Sequence, residues 1–514
     1  MPAKVKQALL LINPRERVFI IILTGSRALL GILDMAGIFL VGILLAKGSN
    51  QISQGASQNV TLANLSRMSG DLTLIQIALL ALILFLSKSI LASLLMKVMT
   101  VRFAKAESHI ATLLYLRILR SQISNVSKIS QSEIIYSLTY SGGFAITQLL
   151  SVTVIILSEL FLLVFISIIF VLVDLQLTIF IAVYFFAIGF LINRTIGAHL
   201  QKSGTKYASS AIAVSKTVED SLVAFREIFT LKKQSEFATK FMEARSILAS
   251  STGSINYFSG LPRYIVESAL MVGAVGLATF TLWTGDSASA AGTLGIFLTG
   301  GLRIMASMLP LQNSLGTLKQ LTSQSESFFN LTKEFPVELD ELIGMDSPIL
   351  TASPGKPIGI KLDHVSYTYE DAPGPALQNI SLNINKGDLV AFIGQSGSGK
   401  STLADLIVGL ISPTIGTVTL ENSGNRSIGY APQSPGIIGG TIAQNITLNI
   451  NEKAFDLERL NNAISISHLQ ELIGTLEHGV HTELGAQSDG LSGGQLQRIG
   501  LARAIYANPG LLVL

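Results

Sequence analysis

Six stretches of the chain, at about 18–46, 72–99, 144–173, 176–194, 263–284 and 290–312, are mostly apolar over 19 residues or more. A helix needs about 20 such residues to cross roughly 30 Å of hydrocarbon. The sequence therefore predicts six membrane spans. Composition agrees: charged residues make up only 13% of the chain, about half the roughly 25% of soluble domains, and the mean hydropathy is +0.53. The first run is too long for the core of a cleaved signal and is read as a retained anchor.

The connections alternate in character. Lys47–Asp71 is rich in Ser, Asn and Gln, and the links near Asp174 and Asp286 are short. Lys4, Lys6, Arg15 and Arg17 precede the first run. Lys97, Arg102, Lys105, Arg117, Arg120 and Lys128 lie between the second and third, and a longer basic set from Arg194 to Arg245 lies between the fourth and fifth. The positive-inside rule places the N-terminus, both long connections and the C-terminal region on the cytoplasmic side of the cell (inner) membrane. Phe225, Ile228, Phe229, Phe237 and Phe241 keep helical spacing, so the connections read as helices that extend the spans. A net charge of +3 gives no case for a nucleic-acid partner, and the absence of cysteine excludes disulfides and thiolate metal sites.

The expected domains are a membrane domain over 1–313, a linker over 314–356 ending in the breaker-rich Thr351–Pro357, and a soluble domain over 357–514. Within the last, Asp388–Ile393 reads as a short apolar strand and Thr402–Leu410 as a helix. Between them stands Gly394-Gln395-Ser396-Gly397-Ser398-Gly399-Lys400-Ser401, a phosphate-binding loop in its required context. Its glycines let backbone N–H groups converge on phosphate at a helix N-terminus. Lys400 supplies charge to the outer phosphates, and Ser401, ahead of Thr402, offers a hydroxyl to Mg²⁺. Further on, Leu491-Ser492-Gly493-Gly494-Gln495 presents a hydroxyl and open backbone N–H groups before a second helix, Gln495–Ala507.

With these two motifs behind six spans, the chain resembles an ATP-binding cassette (ABC) exporter half-transporter. The fold so implied is an all-α six-helix polytopic membrane domain plus an α/β P-loop NTPase domain of ABC type, incomplete at its C-terminus. The resemblance implies ATP and Mg²⁺ as cofactors. It further implies that Tyr369 stacks on adenine, that Gln433, in Tyr430-Ala431-Pro432-Gln433, senses Mg²⁺ and the attacking water, and that Thr482-Glu483-Leu484-Gly485 couples to a partner's cytoplasmic helices. Ala486-Gln487 stand where the family has an acidic-basic pair. In that family the signature segment of one subunit closes over ATP held by the P-loop of another, which implies a homodimer or a paralogous half-transporter as partner. Leu511–Leu514 resembles the strand before the Walker B aspartate. That aspartate, the catalytic glutamate and the switch histidine are not in the sequence, so the chain as given is expected to bind ATP and hydrolyse it poorly.

Charges inside spans are costly and are functional candidates by default. Asp34, Lys88, Glu159, Arg263, Glu267 and Arg303 are such residues, with helix-to-helix pairing or snorkelling as the structural alternative. Pro262–Glu267, the Arg303 region and Ser401–Leu410 are similar to bacterial flippases of lipid-linked oligosaccharides. An amphipathic or lipid-linked substrate is thus implied, with Arg303 suited to a pyrophosphate. Drug or peptide export, or a nucleotide-binding membrane partner without turnover, are the alternatives.

Overall fold

The computed structural model describes residues 3–52, 73–173, 175–283, 287–337, 357–370, 372–421, 428–451, 455–485 and 491–514. The chain divides into two units, Met1–Arg120 with Ile129–Leu342, and Ser121–Lys128 with Ile343–Leu514. The turns at Asp174 and Asp286, and Ala486-Gln487, lie outside the described residues.

Up to residue 337 the described residues are mainly helical: α1 Ala3–Leu11, α2 Pro14–Ile52, α3 Leu74–Leu119, α4 Ile123–Val126, α5 Gln131–Tyr136, α6 Leu149–Val173, α7 Leu175–Val223, α8 Phe225–Thr230, α9 Gln234–Trp283, α10 Ser287–Gln324 and α11 Glu326–Glu334. Wide π-helical turns over Ser137–Ser141 and Gly143–Gln148 join α5 to α6. The described part of every apolar run lies in one of these helices. Among the described residues four helices are long and apolar enough to cross a membrane, within 74–119, 131–168, 178–223 and 234–279. The helices overrun the hydrocarbon. At 49 residues α7 is about 73 Å long, more than twice the apolar thickness.

Helices α7, α9 and α10 enclose the core of this unit, with Ile181, Phe185, Ile192, Val266, Leu270 and Met308 buried together. Small residues set their spacing. Gly189, Gly197 and Gly204 recur at seven- and eight-residue intervals, on the face of α7 that meets α10. A Cβ at Gly204 would lie 2.7 Å from the backbone oxygen of Gln320, so any side chain there forces the helices apart. The expected linker starts later than the sequence suggested. Residues 314–334 are helical, and Leu321, Phe328, Phe329 and Leu331 are buried in the helical unit. Their polar neighbours are the solvent face of an amphipathic continuation of α10 into α11.

The second unit contains β1 Ile360–Tyr367, β2 Leu377–Ile384, α12 Lys400–Val408, β3 Ile415–Leu420, β4 Ile428–Tyr430, β5 Gly440–Thr441, α13 Ile442–Thr447, α14 Leu457–Ile466, α15 Gln470–Thr475, β6 Glu483–Leu484, α16 Gly493–Tyr506 and β7 Leu511–Val513. The antiparallel sheet has the order β2-β1-β3, and Ile360 pairs with Ile384 on one side and Leu420 on the other. Leu403, Leu406 and Ile407 of α12 pack with Ile360, Leu362 and Val365. The strands β4 and β7 pair in parallel, and β5 pairs with β6 antiparallel. A separate apolar cluster gathers α13, α14 and α16, with Ile442, Ala443, Ile446, Leu460 and Ile499 buried.

Residues 121–128 group with this unit. Ile123 donates its N–H to the carbonyl of Leu410 at 3.1 Å, Gln122 bonds Ser412, and Lys128 pairs with Glu370 at 2.6 Å.

One element differs from expectation. Asp388–Ile393 is not a strand, because among the described residues no strand pairs with it. Its apolar side chains Leu389 and Ile393 are exposed. Hydrophobic β-propensity selects an extended backbone, but a ladder needs a neighbour.

Candidate nucleotide-binding site

The loop that precedes α12 is shaped by two left-handed glycines, Gly397 at φ +82° and Gly399 at φ +87°. Gly399 is doubly constrained. A Cβ there would also lie 2.7 Å from both the Ala376 oxygen and a Leu377 methyl carbon. The turn is pinned by the Ser398 N–H donating to the Gln395 carbonyl at 3.2 Å. Lys400 folds back over it, and its Nζ donates to the carbonyls of Gly394 at 2.9 Å and Gln395 at 2.7 Å. The glycine-rich turn, the positive end of α12 and the Lys400 ammonium thus lie together in one exposed loop.

Tyr369 stands at the edge of this loop. Its ring packs edge-on against Tyr367, with centroids 4.9 Å apart, and its hydroxyl lies 3.1 Å from the buried Thr402 hydroxyl. The ring remains 46% exposed, which leaves one face open to a planar base. Ser401, in the first turn of α12, is exposed. On the other side of α12, Tyr430 donates its hydroxyl to Asp405 at 3.4 Å. Burial, and behind it the charge of Asp405, raise the Tyr430 hydroxyl above its ordinary value.

Gln433 is exposed, and its backbone carbonyl accepts from Gln497 of α16 at 3.2 Å. Two residues outside the expected set hold this stretch in place. Arg503 donates to the carbonyls of Asn445 at 2.8 Å and Gly436 at 3.0 Å. Asn445, fully buried, accepts from the N–H of Ile438 and returns a donor to its carbonyl, both at 2.9 Å. Burial lowers the Arg503 guanidinium below its ordinary value. Arg503 lies about two turns beyond Gln495 along α16, a spacing visible in the sequence, whereas nothing in the sequence marks Asn445.

At the signature segment Ser492 caps α16 in a reciprocal box. Its hydroxyl accepts from the Gln495 N–H at 3.3 Å, and its own N–H donates to the Gln495 side chain at 2.7 Å. This is why a serine followed three residues later by a glutamine starts a helix here. Gly493 and Gly494 have nothing within 4 Å of where a Cβ would stand, so their backbone faces open space, while Leu491 anchors the segment on the apolar cluster. Among the described residues no hydrogen bond joins Leu491–Gln495 to Gly394–Thr402.

The loop residues fit nucleotide phosphates in kind: a glycine-rich turn precedes a helix N-terminus, and the Lys400 ammonium bonds loop carbonyls and Ser398. Among the described residues no group of three His, Cys, Asp or Glu side chains is placed to hold a metal. Ser401 and Gln433 are both exposed.

The charges expected inside spans are placed less uniformly. Arg263 and Glu267 pair with each other across one turn of α9 at 2.8 Å. Arg303 Nη2 donates to the Gly31 carbonyl at 3.3 Å. Glu159 bonds Ser307 and lies near Arg27 and Arg303, so Arg303 belongs to a network between helices. Lys88 is half-buried on α3 and has a polar partner. The side chain of Asp34 lies outside the described residues.

Comparison with known proteins bears on the C-terminal domain and the fold. Residues 377–514 match the ABC transporter family. The chain is 27% identical over 331 residues to an ATP-dependent lipid A-core flippase of Nitrosococcus oceani, covering 62% of this chain and 54% of that protein. It is 33% identical over 214 residues to a mesentericin-Y105 transport/processing ATP-binding protein of Leuconostoc mesenteroides, covering 40% and 29%. The chain thus spans about half, or less, of the length of these relatives. Among solved structures it superposes on a bacterial Atm1-family ABC exporter with ATP bound at a TM-score of 0.74 and 19% identity, covering 97% of this chain and 86% of that one. This protein has the fold of an ABC exporter half-transporter, a helical membrane-type domain fused to an ABC transporter ATP-binding domain.

Proposed function

We propose that this chain acts in ATP-driven export or flipping of an amphipathic or lipid-linked substrate across the bacterial inner membrane. The observation that carries the reading is a phosphate-shaped loop, closed by Lys400, in the same chain as helices long and apolar enough to cross a bilayer. The N-terminus and the nucleotide-binding unit are then cytoplasmic, as the basic connections favour.

Lys400 exchanges its carbonyl contacts for phosphate oxygens, a charge-assisted replacement that leaves the loop geometry intact. The N–H groups after Gly397 and at the start of α12 orient the phosphates, and the open face of Tyr369 takes the base. Ser401 and Gln433 supply oxygen ligands for Mg²⁺, which would neutralise phosphate charge when bound. Ser492, Gly493 and Gly494 face open space in this chain, and they serve a nucleotide held by a second copy or by a paralogous half-transporter. The lipid A-core flippase and the mesentericin-Y105 transport protein among the relatives favour a large amphipathic substrate, carried by alternating access.

The test is uptake of a fluorescent lipid into proteoliposomes that hold the chain extended through a Walker B aspartate, catalytic glutamate and switch histidine, with ATP supplied outside. ATP-dependent movement that Lys400→Ala abolishes supports the reading. Movement equal with and without ATP contradicts it.

A further inference from the structure

Between α6, α7 and α10 the helical unit holds a cavity of about 380 Å³, within the size range of small-molecule sites. Its walls are mainly apolar, and no described residue that lines it carries a charge. Two amide oxygens are exceptions to the rule that buried polar atoms are partnered. Gln312 Oε1 and Asn193 Oδ1 are both buried and accept no hydrogen bond, and the Gln312 residue is only 8% exposed. Lys319 reaches the backbone carbonyl of Asn193 at 2.8 Å and leaves the side-chain oxygen unmet. Gly189 makes room for the amide of Gln312, since a Cβ there would lie 2.5 Å from its Nε2. By contrast, Ser167, toward the other end of the cavity, satisfies its hydroxyl within its own helix at 2.8 Å.

The unmet acceptors therefore cluster at one end. Thr178 and Asn193 both line the cavity, and the stretch of α7 between them is about 22 Å long at 1.5 Å per residue. Asn193 and Gln312 stand at the ends of the fourth and sixth apolar runs, at the cytoplasmic membrane interface in the proposed orientation. The apolar length points back toward the bilayer centre. Exposed Phe186 and Phe190 rim it, so entry is from an apolar phase.

We propose that this cavity binds a neutral single-chain amphiphile whose head donates a hydrogen bond, through a hydroxyl or amide N–H, to Gln312 and Asn193. An anionic head is disfavoured at the two acceptor oxygens, and the one cation nearby, Lys319, is already engaged by the Asn193 backbone carbonyl at 2.8 Å. The proposal rests on the membrane-spanning reading above, but it needs neither ATP nor transport.

The experiment is photolabelling of the full chain in phosphatidylcholine nanodiscs with a hexadecanol that carries a mid-chain diazirine, mapped by peptide mass spectrometry. Competitors are hexadecan-1-ol, its methyl ether and palmitate. We expect adducts concentrated on α7 and α10 around the cavity, and at least fivefold stronger competition by the alcohol than by either competitor. Gln312→Leu should abolish that preference, and Gly189→Leu, which fills the cavity, should abolish the labelling itself. Helix content by circular dichroism checks that both variants are folded, and the wild-type competition decides the donor requirement even if they are not. Equal competition by the ether, stronger competition by palmitate, or adducts spread evenly over all apolar helices would overturn the proposal. Because no nucleotide is involved, such a failure leaves the transport reading to its own assay.

Discussion

The ammonium of Lys400 lies 2.7 Å from the carbonyl oxygen of Gln395 and 2.9 Å from that of Gly394. The side chain that is expected to hold phosphate thus closes its own loop when no phosphate competes. Lys400→Ala removes both roles, and nucleotide affinity should fall at least tenfold, about the 1.4 kcal/mol or more of a charged hydrogen bond. Titration with a fluorescent ATP analogue measures this. An affinity within twofold of the parent chain would show that the loop does not hold the phosphates.

Gly399 combines a left-handed backbone with a blocked Cβ direction. Gly399→Ala should cost about 1–3 kcal/mol and weaken nucleotide binding together with it. Gly474 is the control, being inside α15 with open space around it. Gly474→Ala should be neutral, or stabilising by about 0.5–1 kcal/mol. Denaturant melts of the two variants, followed by the same titration, separate backbone strain from general damage.

Ser492 has a helix-capping role that the structure shows and a nucleotide role that it does not. Ser492→Ala should cost about 1 kcal/mol through the lost cap. Ser492→Asp keeps a capping oxygen and places a negative charge where phosphate is expected. It should melt near the parent chain and yet lose nucleotide-driven association between copies. Association unchanged in the aspartate variant would leave Ser492 as a cap alone.

The hydroxyls of Tyr430 and Tyr367 are both raised above their ordinary value, chiefly by burial. The folded unit holds their protons more tightly than the unfolded chain does. Their contribution is complete below the unfolded value, about 10, and declines as pH rises beyond it. Tyr430→Phe should flatten part of that alkaline decline and leave stability near neutral pH little changed, as denaturant melts from pH 8 to 11 would show.

Much of this fold is legible in the sequence because its signals are local. Each apolar run lies in a helix, the Ser492/Gln495 spacing marks a capped start, and the Arg263/Glu267 spacing is that of a pair on one helix face. Asp388–Ile393 shows the limit. Six residues can favour an extended backbone but cannot specify a neighbour, and no strand stands beside them among those described. The helical continuation over 314–334 was obscured because its polar face dominates the composition, while Phe328 and Phe329 carry the packing. The Asn193–Gln312 pair has no sequence signature at all. It exists only where three helices converge.

Central to this account is a nucleotide clasped between the P-loop of one copy and the signature segment of another. The chain contains no cysteine, so cysteines introduced at Ser396 and Gly494 report on that approach without background. With oxidant and ATP, a covalent dimer should accumulate from the doubly substituted chain, and it should be absent without nucleotide and in the Lys400→Ala background. Failure of ATP to increase the dimer, while the same chain still binds nucleotide, would contradict closure between two copies.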